Sequence, residues 1–278
     1  MQVIQRHLGV LVGHYIAFVH GIGELPSRCY QEFGKCLRKA YEKEAQKINA
    51  PRPTELNFVW EDTYWADITQ PEKQIMRNKA GVIGPMRRFA IGSIGDLIAY
   101  TKLSYPENKY EMIQKRFKDT LTKLGQRACE NGDTEASLTV IAHSLGTVIS
   151  SDGIYDICNN KSSPGITVDR FISMGSPIAL YGLRYGLDNF VLPIHPKMWI
   201  NFWYPQDPIA FPLKSLNQAY SEAVTEDICL SPHGGGNPVN NMIRGLAARL
   251  PRGSVSCHSW YFSDKRVIKR IAESLIQP

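Results

Sequence analysis

Apolar residues follow one another along this chain in two rhythms. The first is the short unbroken run: "YIAFVHGIGE" from Tyr15, "SLTVIA" from Ser137, "RFISMG" from Arg170 and "MWINFWY" from Met198. A strand buried on both faces has no polar side to show, so these runs predict interior strands of a parallel sheet. "TELNFVWED", bounded by Pro51 and Pro53, predicts one more short strand. The second rhythm is helical. It places Tyr30, Phe33, Leu37, Tyr41 and Ile48 on one face of a helix over Ser27 to Ile48, and Tyr110, Ile113, Phe117, Leu121, Leu124 and Ala128 on a second. Val267, Ile268, Ile271 and Leu275 mark a last helix, with Ser263 as its expected cap. Ser104-Tyr105-Pro106-Glu107 has the form of a capping box with proline just inside, which predicts the start of the second helix.

Strand and helix alternate, with a further helix expected from Leu145 onward. The predicted class is therefore α/β: a mostly parallel sheet with helices on both faces. A length of 278 residues fits one such domain over residues 1–278 with an insertion. That insertion is expected at about 62–103, where no strong period is visible. Within it, glycines alternate with Met86, Phe89, Ile91, Ile94, Leu97 and Ile98, beside Arg87 and Arg88. Two readings stand: an apolar lid over a site, in transient contact with a membrane surface through its arginines, or a helix packed on the core.

Composition narrows the classes. Hydrophobic residues at 43% and charged residues at 21% are ordinary for a soluble globular protein. The formal charge of +6 is spread without a run of lysines or arginines, so no nucleic-acid partner is expected. Six cysteines contain no C-x-x-C pair, which argues against a zinc site or a dense disulfide framework and for reduced thiols in a cytoplasm. "LGVLVGHYIAFVHG" is interrupted by His14 and too short to span a bilayer, so no targeting signal is expected. The glycines form neither G-x-x-x-x-G-K nor G-x-G-x-x-G, and no cofactor or metal is expected. Nothing in the chain sets an oligomeric state.

In a parallel sheet the loops at the carboxyl ends of the strands converge, so what ends each strand carries the chemistry. Here the strand ends are His20-Gly21-Ile22-Gly23, then His143-Ser144, then Gln206-Asp207, with His258 just before the last helix. A serine presented at a sharp strand-to-helix turn needs small neighbours, and Ala142-His143-Ser144-Leu145-Gly146 provides them. A buried serine between a strand and a helix is the plainer alternative. A serine nucleophile also needs a base to take its proton and an acid to orient that base.

This pattern resembles the nucleophile elbow of the α/β-hydrolase superfamily, G-x-S-x-G, with Ala142 in place of the first glycine. The resemblance implies a triad in the chain order serine, acid, histidine: Ser144, Asp207 and His258. Asp227 is the alternative acid. His143, His195 and His233 read as packing or loop histidines. "HGIG" is similar to the His-Gly motif of many lipases and esterases, which implies an oxyanion hole from the Ile22 N–H, with Gly21 as alternative, and from the Leu145 N–H. "FISMGSP" is similar to the strand after the nucleophile helix in serine esterases. The function implied is a serine hydrolase, an esterase or lipase acting on a small-molecule or lipid ester. Acyl transfer, thioester cleavage and a non-catalytic binding protein of the same fold are the alternatives.

Overall fold

The computed structural model describes residues 13–21, 27–49, 58–69, 75, 100, 108–133, 136–160, 167–186, 196–231 and 257–276. Its centre is a six-stranded, all-parallel sheet: β1 (His14–Val19), β2 (Phe58–Thr63), β3 (Ser137–His143), β4 (Val168–Met174), β5 (Met198–Trp203) and β6 (Glu226–Cys229), in the order β2-β1-β3-β4-β5-β6. β6 is a short strand that no apolar run predicts. The unbroken apolar runs are where the sheet buries both sides, and every residue of β1 and of β3 is buried.

Alternate side chains of β1 enter different clusters, as the two-residue period of a strand requires. Tyr15, Ala17 and Val19 join a core that contains Ile113, Phe117, Leu121 and Leu124 of α2 (Lys109–Glu130) and Leu145, Val148 and Ile149 of α3 (Leu145–Asn160). Ile16 and Phe18 join a second core with Tyr30, Phe33, Leu37 and Tyr41 of α1 (Ser27–Lys47) and with Val267, Ile271 and Leu275 from the C-terminal helix. Two short helices, α4 (Ile178–Tyr185) and α5 (Gln218–Ala223), follow β4 and β5, and α6 (Lys265–Ile276) closes the described chain.

Three expectations about helix ends need correction. Ile48 does not join the buried face of α1; it is 59% exposed, because the helix stops at Lys47 and Asn49 turns the chain with φ +53°. Ala45 holds the place one turn after Tyr41 instead. The capping box at 104–107 lies outside the described residues, and α2 begins after Asn108, whose side chain accepts the Glu111 N–H at 3.4 Å. Ser263 does not cap α6. Its hydroxyl donates to Trp260 O, while Asp264 Oδ1 accepts the Arg266 N–H at 2.8 Å, adding a negative charge at the helix start. Of the expected insertion at 62–103, only 62–69, 75 and 100 are among the described residues, so the lid reading lies outside them.

The strand order reverses between β1 and β3: the chain leaves β1 toward β2 on one side and resumes on the other. Carboxyl-end loops diverge at such a point and leave a crevice. The residues there are His20-Gly21 from β1 and His143-Ser144 from β3.

Candidate active site

β3 ends at His143, α3 starts at Leu145, and Ser144 alone makes the turn with φ +56°, the left-handed region that L-residues avoid at a cost of roughly 1–2 kcal/mol. Its backbone is tied on both sides. The Ser144 N–H donates to Met174 O at 2.9 Å, the end of β4, and Ser144 O accepts the Thr147 N–H at 2.9 Å and the Thr147 hydroxyl at 2.7 Å. The peptide that follows is planar, so a carbonyl held by Thr147 aims the Leu145 N–H the other way. That N–H belongs to the first turn of α3, where intrahelical acceptors are lacking. Gly146 lets the turn sit against β1: a Cβ there would stand 2.6 Å from His20 O and collide with Val19 O. Ala142, by contrast, lies wholly buried in the sheet, where a methyl group is accommodated.

Asp207 and His258 come from beyond β5. After Trp203 the chain turns, with the Asp207 N–H on Tyr204 O at 3.0 Å. The Asp207 side chain, in a residue only 3% exposed, accepts the Ile209 N–H on Oδ1 at 3.3 Å. Its Oδ2 meets His258 Nδ1 at 2.7 Å and the Tyr261 hydroxyl at 2.9 Å. Burial would raise this carboxyl, but the His258 hydrogen bond and charge, the Tyr261 hydroxyl and the Ile209 N–H together hold it below the usual carboxylate range. A carboxylate oxygen can only accept, so Nδ1 of His258 carries a proton, and Nε2 is the nitrogen through which this imidazole takes a proton as a base.

His258 is seated by two further contacts. His143 Nε2 lies 2.7 Å from His258 O and therefore donates to it, with the two rings 4.6 Å apart. Burial, then the neighbouring His258 charge, lowers the His143 imidazole to about 3, so it holds this carbonyl as a neutral donor. Gly175, with φ +60°, lies under the pair; a Cβ there would be 2.9 Å from the Tyr261 ring and 3.0 Å from His258 Cε1. Through His143, the residue before Ser144, the Ser144 turn and His258 are held on one rim.

The loop after β1 packs against the same turn. A Cβ on Gly21 would stand 2.9 Å from His143 O and overlap Ser144 Cβ. His20 Nδ1 donates to Gly21 O at 2.7 Å, its Nε2 accepts the Trp65 N–H at 3.3 Å, and its ring stacks on Trp65 within 3° of parallel. Ile22, His195 and His233 lie outside the described residues.

The alternative acid is engaged elsewhere. Asp227 Oδ2 accepts the Leu213 and Lys214 N–H groups at 2.7 Å each, and Oδ1 accepts from Asn201 Nδ2 at 2.7 Å. It ties a loop to β5. Among the described histidines, His258 is paired with a carboxylate, His14 meets the Tyr41 hydroxyl, and His20 and His143 donate to carbonyls. Sequence reasoning missed Tyr261, although its spacing of three residues from His258 puts both on one turn. It also missed the hold of His143 on His258, a contact between residues 115 apart that no local pattern announces. Among the described residues no group of three His, Cys, Asp or Glu side chains is arranged to hold a metal ion, and no helix is long and apolar enough to cross a membrane.

Comparison of the chain with protein-family models, with curated proteins and with solved structures finds no match in any of the three.

Proposed function

We propose that this protein is a serine hydrolase of the α/β-hydrolase type, with helices on both faces of its parallel sheet, that cleaves carboxylic esters through an acyl-enzyme intermediate. The observation that carries the reading is the buried Asp207–His258 pair, joined at 2.7 Å on the same rim as a serine held at φ +56°. A buried carboxylate bonded to an imidazole and a strained serine at the strand-order reversal are hard to explain as packing, since either feature alone would cost stability there.

In this reading His258 Nε2 takes the Ser144 proton as Oγ attacks the ester carbonyl carbon. The carbonyl π pair moves to oxygen, and the Leu145 N–H stabilises the resulting charge together with a donor from the loop that begins at Gly21. One such donor is worth about 3 kcal/mol of transition-state stabilisation. The tetrahedral intermediate collapses, the C–O bond to the alcohol breaks, and imidazolium returns the proton to the departing alkoxide. Water then repeats the sequence on the acyl-enzyme and releases the acid. Asp207 remains a carboxylate throughout, holding the proton of Nδ1 and stabilising the imidazolium.

The test is a series of p-nitrophenyl esters of increasing acyl length, given to the native protein and to Ser144→Ala. The native protein is expected to release p-nitrophenol with a burst stoichiometric with enzyme, and the variant to fall to the uncatalysed rate. Equal rates from both would overturn the reading, and the length preference identifies the acyl chain accepted.

A further inference from the structure

We infer that Tyr261 is a positioning residue of this site, whose phenol hydroxyl holds the Asp207 carboxylate in place and draws charge from the oxygen that orients His258. The inference rests on the serine-hydrolase reading above for its kinetic consequence, but not for its geometry.

The direction of the hydrogen bonds is forced. The Tyr204 N–H lies 3.1 Å from the Tyr261 oxygen and can only donate, so that oxygen accepts. The phenol's single proton is then left for Asp207 Oδ2, 2.9 Å away. The same Oδ2 receives His258 Nδ1 at 2.7 Å. Two donors thus compete for the charge of one carboxylate oxygen, while Oδ1 has the longer Ile209 contact at 3.3 Å. Each donor weakens the pull of the oxygen on the other. A ring needed only to fill space would do so as phenylalanine. Tyr261 has no solvent exposure and packs against Tyr204 at 4.9 Å and His143 at 5.8 Å. Its hydroxyl is therefore committed to the carboxylate and has no alternative partner in water.

The other titratable groups facing this pair keep one charge state over the useful pH range. His143, at the end of β3, is lowered to about 3, and the Cys257 thiol, one residue before His258, is pushed up to about 11, both chiefly by burial. Tyr204 is raised by burial and by Asp264, to which its hydroxyl donates, and Asp264 in turn is paired with Arg266. His20 adds a charge interaction with His143. The acid side of an activity profile is therefore read with these neighbours held in one charge state.

The experiment compares the native protein with Tyr261→Phe and with forms carrying ring-fluorinated tyrosine at 261, whose hydroxyl is a stronger donor in nearly the same volume. Two quantities are read: the downfield proton resonance of the His258 Nδ1–H, which needs no turnover, and the pH dependence of kcat and KM on p-nitrophenyl acetate. Tyr261→Phe is expected to lower kcat about ten-fold with KM nearly constant, the scale of one hydrogen bond to a charged group. Losing a donor raises the pH at which the carboxylate takes a proton, so the acid limb moves to higher pH, and the resonance moves downfield as His258 inherits the charge. Fluorination is expected to move both the opposite way. Where Tyr261→Phe fails to fold, the fluorinated series decides by itself. A resonance and acid limb unmoved by either change, or moved in the same sense by both, would overturn the inference. The expected resonance shifts in a protein that turns over no ester would uphold the role of Tyr261 at the carboxylate and contradict the hydrolase reading instead.

Discussion

At the amino ends of the strands, Arg170 donates from Nε to Ser274 O at 2.8 Å and from Nη1 to Ser137 Oγ at 2.5 Å, His14 meets the Tyr41 hydroxyl at 2.9 Å, and the Gly13 N–H reaches Asp133 at 2.7 Å. At the carboxyl ends, His143, Ser144, Asp207, His258 and Tyr261 are buried to a similar degree. Both edges bury polar groups, yet they use them differently. The amino-end contacts run mostly from a side chain to a carbonyl, a backbone N–H or a hydroxyl of another element, and each ties one element to another. At the carboxyl ends an imidazole and a phenol share one carboxylate oxygen, beside a serine in a left-handed turn. Buried polarity is common to both edges; what the carboxyl ends add is a pair of groups able to exchange a proton, next to a strained backbone.

The sharpest way to break this comparison is to remove one charge from each kind of carboxylate. Asp207→Asn is expected to lower kcat about 10⁴-fold, because the amide no longer holds His258 in the working tautomer. Asp227→Asn is expected to leave kcat of the folded protein within about two-fold and to cost on the order of 1–3 kcal/mol in urea unfolding, since its oxygens satisfy backbone N–H groups. The reverse ranking would transfer the acid role. A smaller effect follows from Gly175→Ala. The new methyl group would press on His258 and on the Tyr261 ring, so about a hundred-fold loss of kcat/KM is expected, with a modest fall in melting temperature.

The smallest effect belongs to the amino edge and concerns pH. Burial, then the charge of Arg170, lowers His14 to about 4 from an unfolded value of 6.5. The unfolded chain therefore binds a proton at this position between those values while the native state does not, so the contribution is complete above about pH 6.5 and is lost as pH falls toward 4. His143 acts in the same sense. His14→Phe is expected to remove on the order of 2 kcal/mol of the stability change between about pH 7 and pH 5, with no change in the pH profile of activity. A change in that profile would mean that the two edges are coupled.

How much of this was legible in the chain depends on whether a feature is local. β1, β3, β4 and β5 were readable because strands buried on both faces leave unbroken apolar runs, and α2 because six of its apolar residues repeat along one face. β6, "EDIC", was not, since its pairing with β5 rather than its composition makes it a strand. Ser144, Asp207 and His258 are expected as site residues from their places after strands and before a helix, and the structure joins Asp207 to His258 and holds Ser144 in a left-handed turn. What no local pattern contained was the set of contacts that seats them: the His143 ring on the His258 carbonyl, the Tyr204 N–H on the Tyr261 hydroxyl, and His258 and Tyr261 on Asp207, which join positions 51 to 115 residues apart. Helix ends were misjudged where a neighbouring residue was the better cap, Asp264 in place of Ser263.

The central claim is that Ser144 is a nucleophile activated by His258. It is tested most directly by treating the native protein, Ser144→Ala and His258→Gln with a fluorophosphonate and locating the adduct by peptide mass spectrometry. The account predicts a single adduct on Ser144 in the native protein, none in Ser144→Ala, and labelling slowed at least about a thousand-fold in His258→Gln. An adduct on another residue, or labelling of Ser144 at an undiminished rate without His258, would contradict it.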